Sequence, residues 1–332
     1  MQRKAFIHIG LAKTGTTAIQ QSATSLQDEM LRNGLRFLRT GRIGRKGGQH
    51  CIPWRIRKDA RADLFGPNYS LADTRAELTA NKDKNVLVSS EEFSPLAYSP
   101  ARLRELRALF AGYHLCGIVY VREQVEHFNS FFVELVKDIS MADSVGEFTQ
   151  KISSEARYNY HDWVQPFDDF FDEMVVRPYD PNEFVGGEIV QDFYSIVGFK
   201  QKNAAPNIVR NRSLSSLQVA ALQQAVRRLR ERGIHPASQV PRDVKVRLFA
   251  AVQTPKMKAS GTYWGIPPRV TLELRDHFRP LNRAFFQKFT GRAFDFYNHQ
   301  EPRDLNVAAF ADVPDDVKAK IIELVDSVPL PK

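Results

Sequence analysis

The segment that most constrains this chain is a short apolar run, Ala5-Phe6-Ile7-His8-Ile9. It passes straight into Gly10-Leu11-Ala12-Lys13-Thr14-Gly15-Thr16-Thr17 and then into a mixed polar and apolar stretch reaching about residue 32. The run reads as a strand, the Gly- and Thr-rich part as a tight loop, and the remainder as a helix. A strand that turns through such a loop into a helix is the opening half of a βαβ unit, and it points the chain toward an α/β architecture. The loop and the first turn of the helix present several backbone N–H groups, together with the positive end of the helix dipole, to one point. That arrangement suits a phosphate or a sulfate. Lys13 adds a full positive charge there.

The same alternation continues. Apolar runs at 35–38, 86–88, 115–121 and 174–176 alternate with helical patterns at 70–81, 99–112, 124–138 and 181–197. Repeated strand and helix predict right-handed βαβ units, hence an α/β fold with a P-loop-type parallel sheet of about five strands flanked by helices. In such sheets ligands lie at the carboxyl ends of the strands, which directs attention to residues 13–17, 89–93 and 122 onward. The stretch 163–174, with Phe167, Phe170 and Phe171 among Asp168, Asp169 and Asp172, reads as an amphipathic helix on the sheet. After about residue 209 the pattern is mostly helical. Ser215 or Ser216 is the expected N-cap of a helix with Leu217, Ala221, Ala225 and Leu229 on one face, and a later helix at 269–289 carries Leu274, Phe278, Leu281, Phe285 and Phe289. The expected organisation is one domain over 1–332, a nucleotide-binding α/β core at 1–210 with a helical C-terminal cover at 211–332.

Composition narrows the function. With 43% hydrophobic and 26% charged residues over 332 positions, the chain can bury a large core, which excludes wholesale disorder. It has only two cysteines, and Cys116 sits inside an apolar run, so a disulfide framework is not expected and a reducing compartment is. No stretch approaches the roughly 20 apolar residues that span a bilayer, and the apolar run behind the basic start is too short for a signal peptide. A cytoplasmic protein with no transmembrane segment is expected. Lys and Arg exceed Asp and Glu by 47 − 38 = 9, which suggests an anionic partner. Between 41 and 61 there are seven basic residues, Arg42, Arg45, Lys46, Arg55, Arg57, Lys58 and Arg61, against Asp59. Together with Gly44, Gly47 and Gly48 they read as a mobile basic loop that could attract an anionic or polyhydroxylated acceptor. Nucleic acid is disfavoured, because the loop's aromatic content is only Trp54 and no nucleic-acid motif is present.

The order of residues in the first loop is informative. An ordinary phosphate loop, G-x-x-x-x-G-K-[ST], has its Lys after the second Gly, whereas here Lys13 precedes Gly15. His8-Ile9-Gly10-Leu11-Ala12-Lys13-Thr14-Gly15-Thr16-Thr17 resembles the 5′-phosphosulfate loop of bacterial sulfotransferases that use 3′-phosphoadenosine 5′-phosphosulfate (PAPS). A second segment, residues 115–130, is similar to the part of that family that grips the 3′-phosphate, with Arg122 closing an apolar run and Ser130 eight residues later. The resemblance continues through Val175-Val176-Arg177-Pro178-Tyr179-Asp180 to Arg210-Asn211-Arg212-Ser213-Leu214, a segment that in the family closes over the nucleotide.

The resemblance implies a PAPS-dependent sulfotransferase, with PAPS as donor, 3′,5′-bisphosphoadenosine as product, and a glycan or other hydroxylated acceptor. It assigns Lys13 to the bridging oxygen and Thr14, Gly15, Thr16 and Thr17 to the 5′-phosphate. Arg122 and Ser130 go to the 3′-phosphate, and Arg210, Asn211 and Ser213 to the closing segment. The base that takes the acceptor proton is expected after the third apolar run, where Glu91 is the first choice and Glu92 the second, with His50 in the basic loop as a rival. No metal is expected, since there is no H-E-x-x-H and no clustered Cys/His set. Two alternatives stay open, a P-loop nucleotide kinase and a nucleotide- or anion-binding protein without transfer activity.

Overall fold

The computed structural model of the chain describes residues 2–44, 47–201, 213–235, 239–296 and 301–330. It is an α/β structure whose single sheet has five strands, all parallel. These are β1 (Lys4–Ile9), β2 (Leu35–Phe37), β3 (Asn85–Ser90), β4 (His114–Val121) and β5 (Glu173–Pro178). Their order across the sheet is β2-β3-β1-β4-β5, so the first strand lies in the centre. In the register, His8 stands opposite Ser89 on one side and Ile118 on the other, and Ile9 stands opposite Ser90. The chain runs to one side of β1 for β2 and β3 and to the other for β4 and β5, which makes the carboxyl end of β1 the switch point where a ligand fits.

Helices supply the returns. Between β1 and β2 lie α1 (Thr16–Ser25) and α2 (Gln27–Arg32). Between β2 and β3 lie α3 (Cys51–Arg57), α4 (Arg61–Phe65) and α5 (Leu71–Ala80). A 3₁₀ segment, Glu91–Tyr98, and α6 (Pro100–Leu109) lead to β4, and α7 (Gln124–Lys137), α8 (Val145–Ser153) and α9 (Tyr160–Asp168) lead to β5. After β5 come α10 (Ile189–Ile196), α11 (Ser216–Glu231), α12 (Arg242–Ala251), α13 (Pro255–Lys258), α14 (Pro268–Thr290) and α15 (Asp315–Asp326). The aromatic stretch expected as one helix over 163–174 is divided: α9 ends at Asp168, and Glu173 and Met174 already belong to β5, where they pair with Cys116 and Gly117.

The chain forms two compact units. The first takes Met1–Glu123, Ala156–Arg210 and Phe278–Phe296 and contains the sheet; the second takes Gln124–Glu155, Asn211–His277 and Tyr297–Lys332 and is helical. In the first, one sheet face buries Phe6, Leu87, Cys116, Ile118 and Tyr120 against Ile19, Ala23 and Phe193 of α1 and α10. The Cys116 thiol is pushed up to about 12 by burial first and then by Glu173. In the second, Ser215 caps α11 in a capping box with Gln218, and Ala221, Ala225 and Leu229 are buried. Among the described residues no helix is long and apolar enough to cross a membrane.

One core group titrates in an accessible range. His8 is fully buried, its Nδ1 2.7 Å from the Ser89 hydroxyl, which also accepts from the Gln20 amide at 3.2 Å. Its ring lies against Phe193, 5.2 Å between centroids, and its Nε2 is buried with no hydrogen-bond partner. Burial pulls its pKa down to about 3. Between that value and about 6.5 the unfolded chain holds a proton that the folded chain does not. His8 therefore leaves stability intact above about pH 6.5 and erodes it as pH falls, by at most about 1.4 kcal/mol per pH unit. Urea unfolding between pH 7 and pH 4 should show a steeper loss for the native chain than for His8→Gln; equal slopes would contradict this account of the core.

Candidate functional site

The loop after β1 is shaped by two residues in the left-handed region, Lys13 at φ +67° and Gly15 at φ +76°. For Gly15 the conformation is inexpensive, and a methyl there would stand 3.1 Å from both Ile189 and Tyr179. For Lys13 it costs of the order of 1 kcal/mol or more, and such strain persists only where surroundings over-determine it. Those surroundings are visible. The Gly10 N–H donates to the Ser90 carbonyl at 3.1 Å, the Thr14 hydroxyl donates to the Leu11 carbonyl at 2.7 Å, and Arg122 Nη1 donates to the Lys13 carbonyl at 3.3 Å. Left-handed residues alternating with ordinary ones turn successive N–H groups inward, the arrangement that makes an anion-binding concavity.

The helix that follows is left open to an anion. Gly15 is the N-cap of α1 and supplies no side chain to its first turn, which holds no acidic residue. Thr16 is 2% exposed, and its hydroxyl oxygen is buried without a hydrogen-bond partner. An orphaned buried hydroxyl in the first turn of an uncapped helix fits an anionic oxygen, and a methyl on Gly10 would crowd it, standing 2.9 Å from that hydroxyl. The threonines divide the work. Thr14 gives its proton to the loop itself, and Thr16 keeps a buried hydroxyl that the protein leaves unmatched.

Two neighbouring strands bring further groups to this end of the sheet. Arg122 directly follows β4, its guanidinium 5.5 Å from the ring centroid of Tyr179, whose N–H donates to the Val121 carbonyl at 2.7 Å. Tyr160 donates its hydroxyl to the Arg122 carbonyl. Glu91 directly follows β3, and its Cγ would stand 2.9 Å from a methyl on Gly10. His50 Nδ1 lies 2.8 Å from the Ser90 hydroxyl, which also accepts from the Glu92 N–H at 3.1 Å. His50 is held rather than solvated: the preceding Gln49 exchanges backbone and side-chain hydrogen bonds with Ser89, and a methyl on Gly48 would stand 2.5 Å from His50 Nε2. Glu92 turns the other way, into ion pairs with Arg57 and Arg61 at 2.9 Å.

Lys13, Thr14, Gly15, Thr16, Thr17, Arg122 and Glu91 thus belong to one end of the sheet in the first unit, with His50 and Glu92 joined to it through Ser90. Ser130 is half-buried in α7 of the second unit, and Ser213 is exposed there. Arg210 and Asn211 lie outside the described residues. Sequence reasoning passed over Gln20, Tyr160 and the capping role of Ser90. Tyr179 had a usable signal, its place just after the fifth apolar run.

The mobile basic loop expected over 41–61 is corrected. Residues 51–57 and 61–65 are helices, and the basic side chains are largely spent within the fold. Arg42 donates to the Leu38 and Phe37 carbonyls and lies over the Phe37 ring at 4.2 Å, with burial pulling its pKa down to about 10. Arg55 ties down the Tyr69 and Gly66 carbonyls, and Arg57 and Arg61 share Asp59 and Glu92. Arg45 and Lys46 lie outside the described residues. Among the described residues no group of three or more His, Cys, Asp or Glu side chains could hold a metal ion.

No protein-family model matches the chain, and no curated protein or solved structure matches it.

The orphaned hydroxyl gives the site its first test. Thr16→Val keeps the shape and removes the donor, and a hydrogen bond to a charged group is worth about 1.5–3 kcal/mol. Affinity for inorganic pyrophosphate, measured by calorimetry, should fall about ten- to hundredfold with the melting temperature unchanged. Unaltered affinity would mean that the anion does not bind at this turn.

Proposed function

We propose that the chain is a sulfotransferase that moves a sulfuryl group from PAPS to a hydroxyl of an acceptor, leaving 3′,5′-bisphosphoadenosine. The observation that carries this reading is the convergence of an uncapped, left-handed anion loop with a guanidinium after β4 and a carboxylate after β3. The fit with the donor rests on the unmatched Thr16 hydroxyl and on glycines at 10 and 15, where a side chain would crowd Thr16, Glu91, Ile189 and Tyr179.

When bound, PAPS supplies an activated sulfuryl group whose bond to the phosphate oxygen is the one broken. The residues of the chain do the rest. The loop and the first turn of α1 bind the 5′-phosphate through N–H donors and the Thr16 hydroxyl. Lys13 places its ammonium where negative charge grows on the bridging oxygen, an interaction stronger in the transition state than before it. Arg122 offers a planar fork with five N–H donors, one of them on the Lys13 carbonyl, so the 3′-phosphate and the anion loop are held in one register. Glu91 accepts the proton of the attacking hydroxyl, and its position against Gly10 keeps it beside the loop.

A transfer assay with isotopically labelled PAPS and a panel of hydroxylated acceptors tests the reading. Lys13→Ala should lower turnover by about 10²–10³. Glu91→Gln should lower it by about 10²–10⁴ while leaving nucleotide affinity within about twofold. Transfer that survives both changes would remove these residues from the chemistry, and absence of 3′,5′-bisphosphoadenosine binding would remove the assignment.

A further inference from the structure

We propose that Glu92 is a positioning residue, which through Arg57 and Arg61 clamps α3 to the turn after β3 and thereby fixes Glu91 and His50 beside the anion loop. The inference rests on the reading of Glu91 as proton acceptor, but the clamp itself does not. Glu91 stands between two pinned neighbours. On one side, Ser90 gives its carbonyl to the Gly10 N–H at 3.1 Å and its hydroxyl oxygen to the Glu92 N–H at 3.1 Å, with His50 Nδ1 2.8 Å from that oxygen. On the other, the Glu92 carboxylate accepts from Arg57 Nη2 at 2.9 Å and from Arg61 Nη1 and Nη2 at 2.9 and 3.0 Å. Asp59 completes a charge-balanced quartet, accepting from Arg57 Nη2 and Arg61 Nη2 at 2.7 Å each.

The two anchors act at opposite ends of one helix. His50 is the N-cap of α3 and Arg57 its last residue. A helix of seven residues has too few turns to hold its own place by propensity, so its position is set by what grips its ends. Here both grips lead to the residues that flank Glu91. Arg57 and Glu92 keep only 16% and 22% of their side chains exposed, and at that depth removing one partner leaves a charge poorly compensated. The same contacts argue against Glu92 as the proton acceptor, since an acceptor hydroxyl would have to displace three guanidinium donors from it.

Charged groups lie on several elements around the turn that carries Glu91. The loop after β1 brings Lys13, α3 brings His50 and Arg57, the α3–α4 connection brings Asp59, α4 brings Arg61, and Glu92 adjoins it in the chain. α6 and α9 also pack on the 3₁₀ turn, α9 through the Trp163 indole on the Ser94 carbonyl at 3.3 Å. Of their charges, Arg102 pairs with Glu105, Arg107 with Asp172 and His161 with Asp162, while Arg104 is exposed and Asp168 is the half-buried last residue of α9. The quartet includes the residue next to Glu91 in the chain, and it is a charge balance that a substitution can tip. Neutralising Glu92 leaves an uncompensated cation near Glu91, and neutralising Arg57 leaves an uncompensated anion.

Glu92→Gln, Arg57→Met and the double variant are compared by two measurements. Amide hydrogen exchange on the free protein reads the clamp without donor or turnover. Glu92→Gln and the double variant should speed exchange about tenfold or more at residues 50–57 and 91–93 while protection in β1 and β4 holds. Sulfuryl transfer reads the consequence. Glu92→Gln should lower kcat about ten- to hundredfold with 3′,5′-bisphosphoadenosine affinity unchanged. The acid limb of its pH–rate profile should persist but move to lower pH; Arg57→Met should move that limb to higher pH, and the double variant should return it. Loss of the acid limb in Glu92→Gln would make Glu92 itself the proton acceptor and overturn the proposal. Unchanged exchange, or faster exchange with unchanged kcat, would also overturn it. A chain that fails to bind 3′,5′-bisphosphoadenosine would sink the sulfotransferase reading instead, and the exchange data would still decide whether the clamp exists.

Discussion

The hydrogen bond from the Gly10 N–H to the Ser90 carbonyl carries the β1–β3 ladder one residue beyond the strands, and the site depends on it. It ties the start of the anion loop to the end of the strand that delivers Ser90, Glu91 and Glu92. On the opposite side of β1, β4 ends at Val121, whose carbonyl accepts from the Tyr179 N–H, and Arg122 then reaches the Lys13 carbonyl. The loop is thus gripped from both neighbouring strands. That grip explains how a lysine is kept in a left-handed conformation that an unconstrained lysine would leave.

The charge of the chain is spent unevenly. An excess of nine positive charges points toward an anionic partner, yet the densest basic segment uses its guanidinium groups to tie carbonyls and carboxylates of its own surroundings. Arg42, Arg55, Arg57 and Arg61 are construction elements. Among the described residues, Lys13, set by the loop, and Arg122, set by β4, are cations at the end of β1. Local charge density in sequence is therefore a poor guide to the net charge a segment presents, because the carboxylates that neutralise it can lie far along the chain, as Glu92 does for Arg57 and Arg61.

All five strands were legible from their apolar runs, α5, α6 and α7 from helical periodicity between them and α14 from its own periodicity after the last, because a parallel sheet buried on both faces writes continuous hydrophobic strands. The strand, tight loop and helix at 5–25 were legible because glycine and threonine punctuate a change from strand to helix there. α3 and α4 were not, since they have only seven and five residues, carry three arginines between them and follow a glycine-bearing stretch. Their stability comes from Trp54, Ile52 and Ile56 in the core and from ion pairs with a residue about thirty-five positions later, which no local pattern encodes. Glu91 was placed at the end of its strand from sequence and preferred there to Glu92, and the structure adds the different surroundings of the two. One lies against Gly10 and the other against two arginines.

The central claim is that the end of β1 is a site for a nucleotide bearing both a 5′- and a 3′-phosphate. Calorimetric titration with 3′,5′-bisphosphoadenosine and with 5′-AMP tests it directly. The account predicts that the bisphosphate binds about ten- to hundredfold more tightly and that Arg122→Ala abolishes most of this advantage, because the guanidinium answers the phosphate that 5′-AMP lacks. Equal affinity for the two nucleotides, or a preference that survives Arg122→Ala, would contradict it.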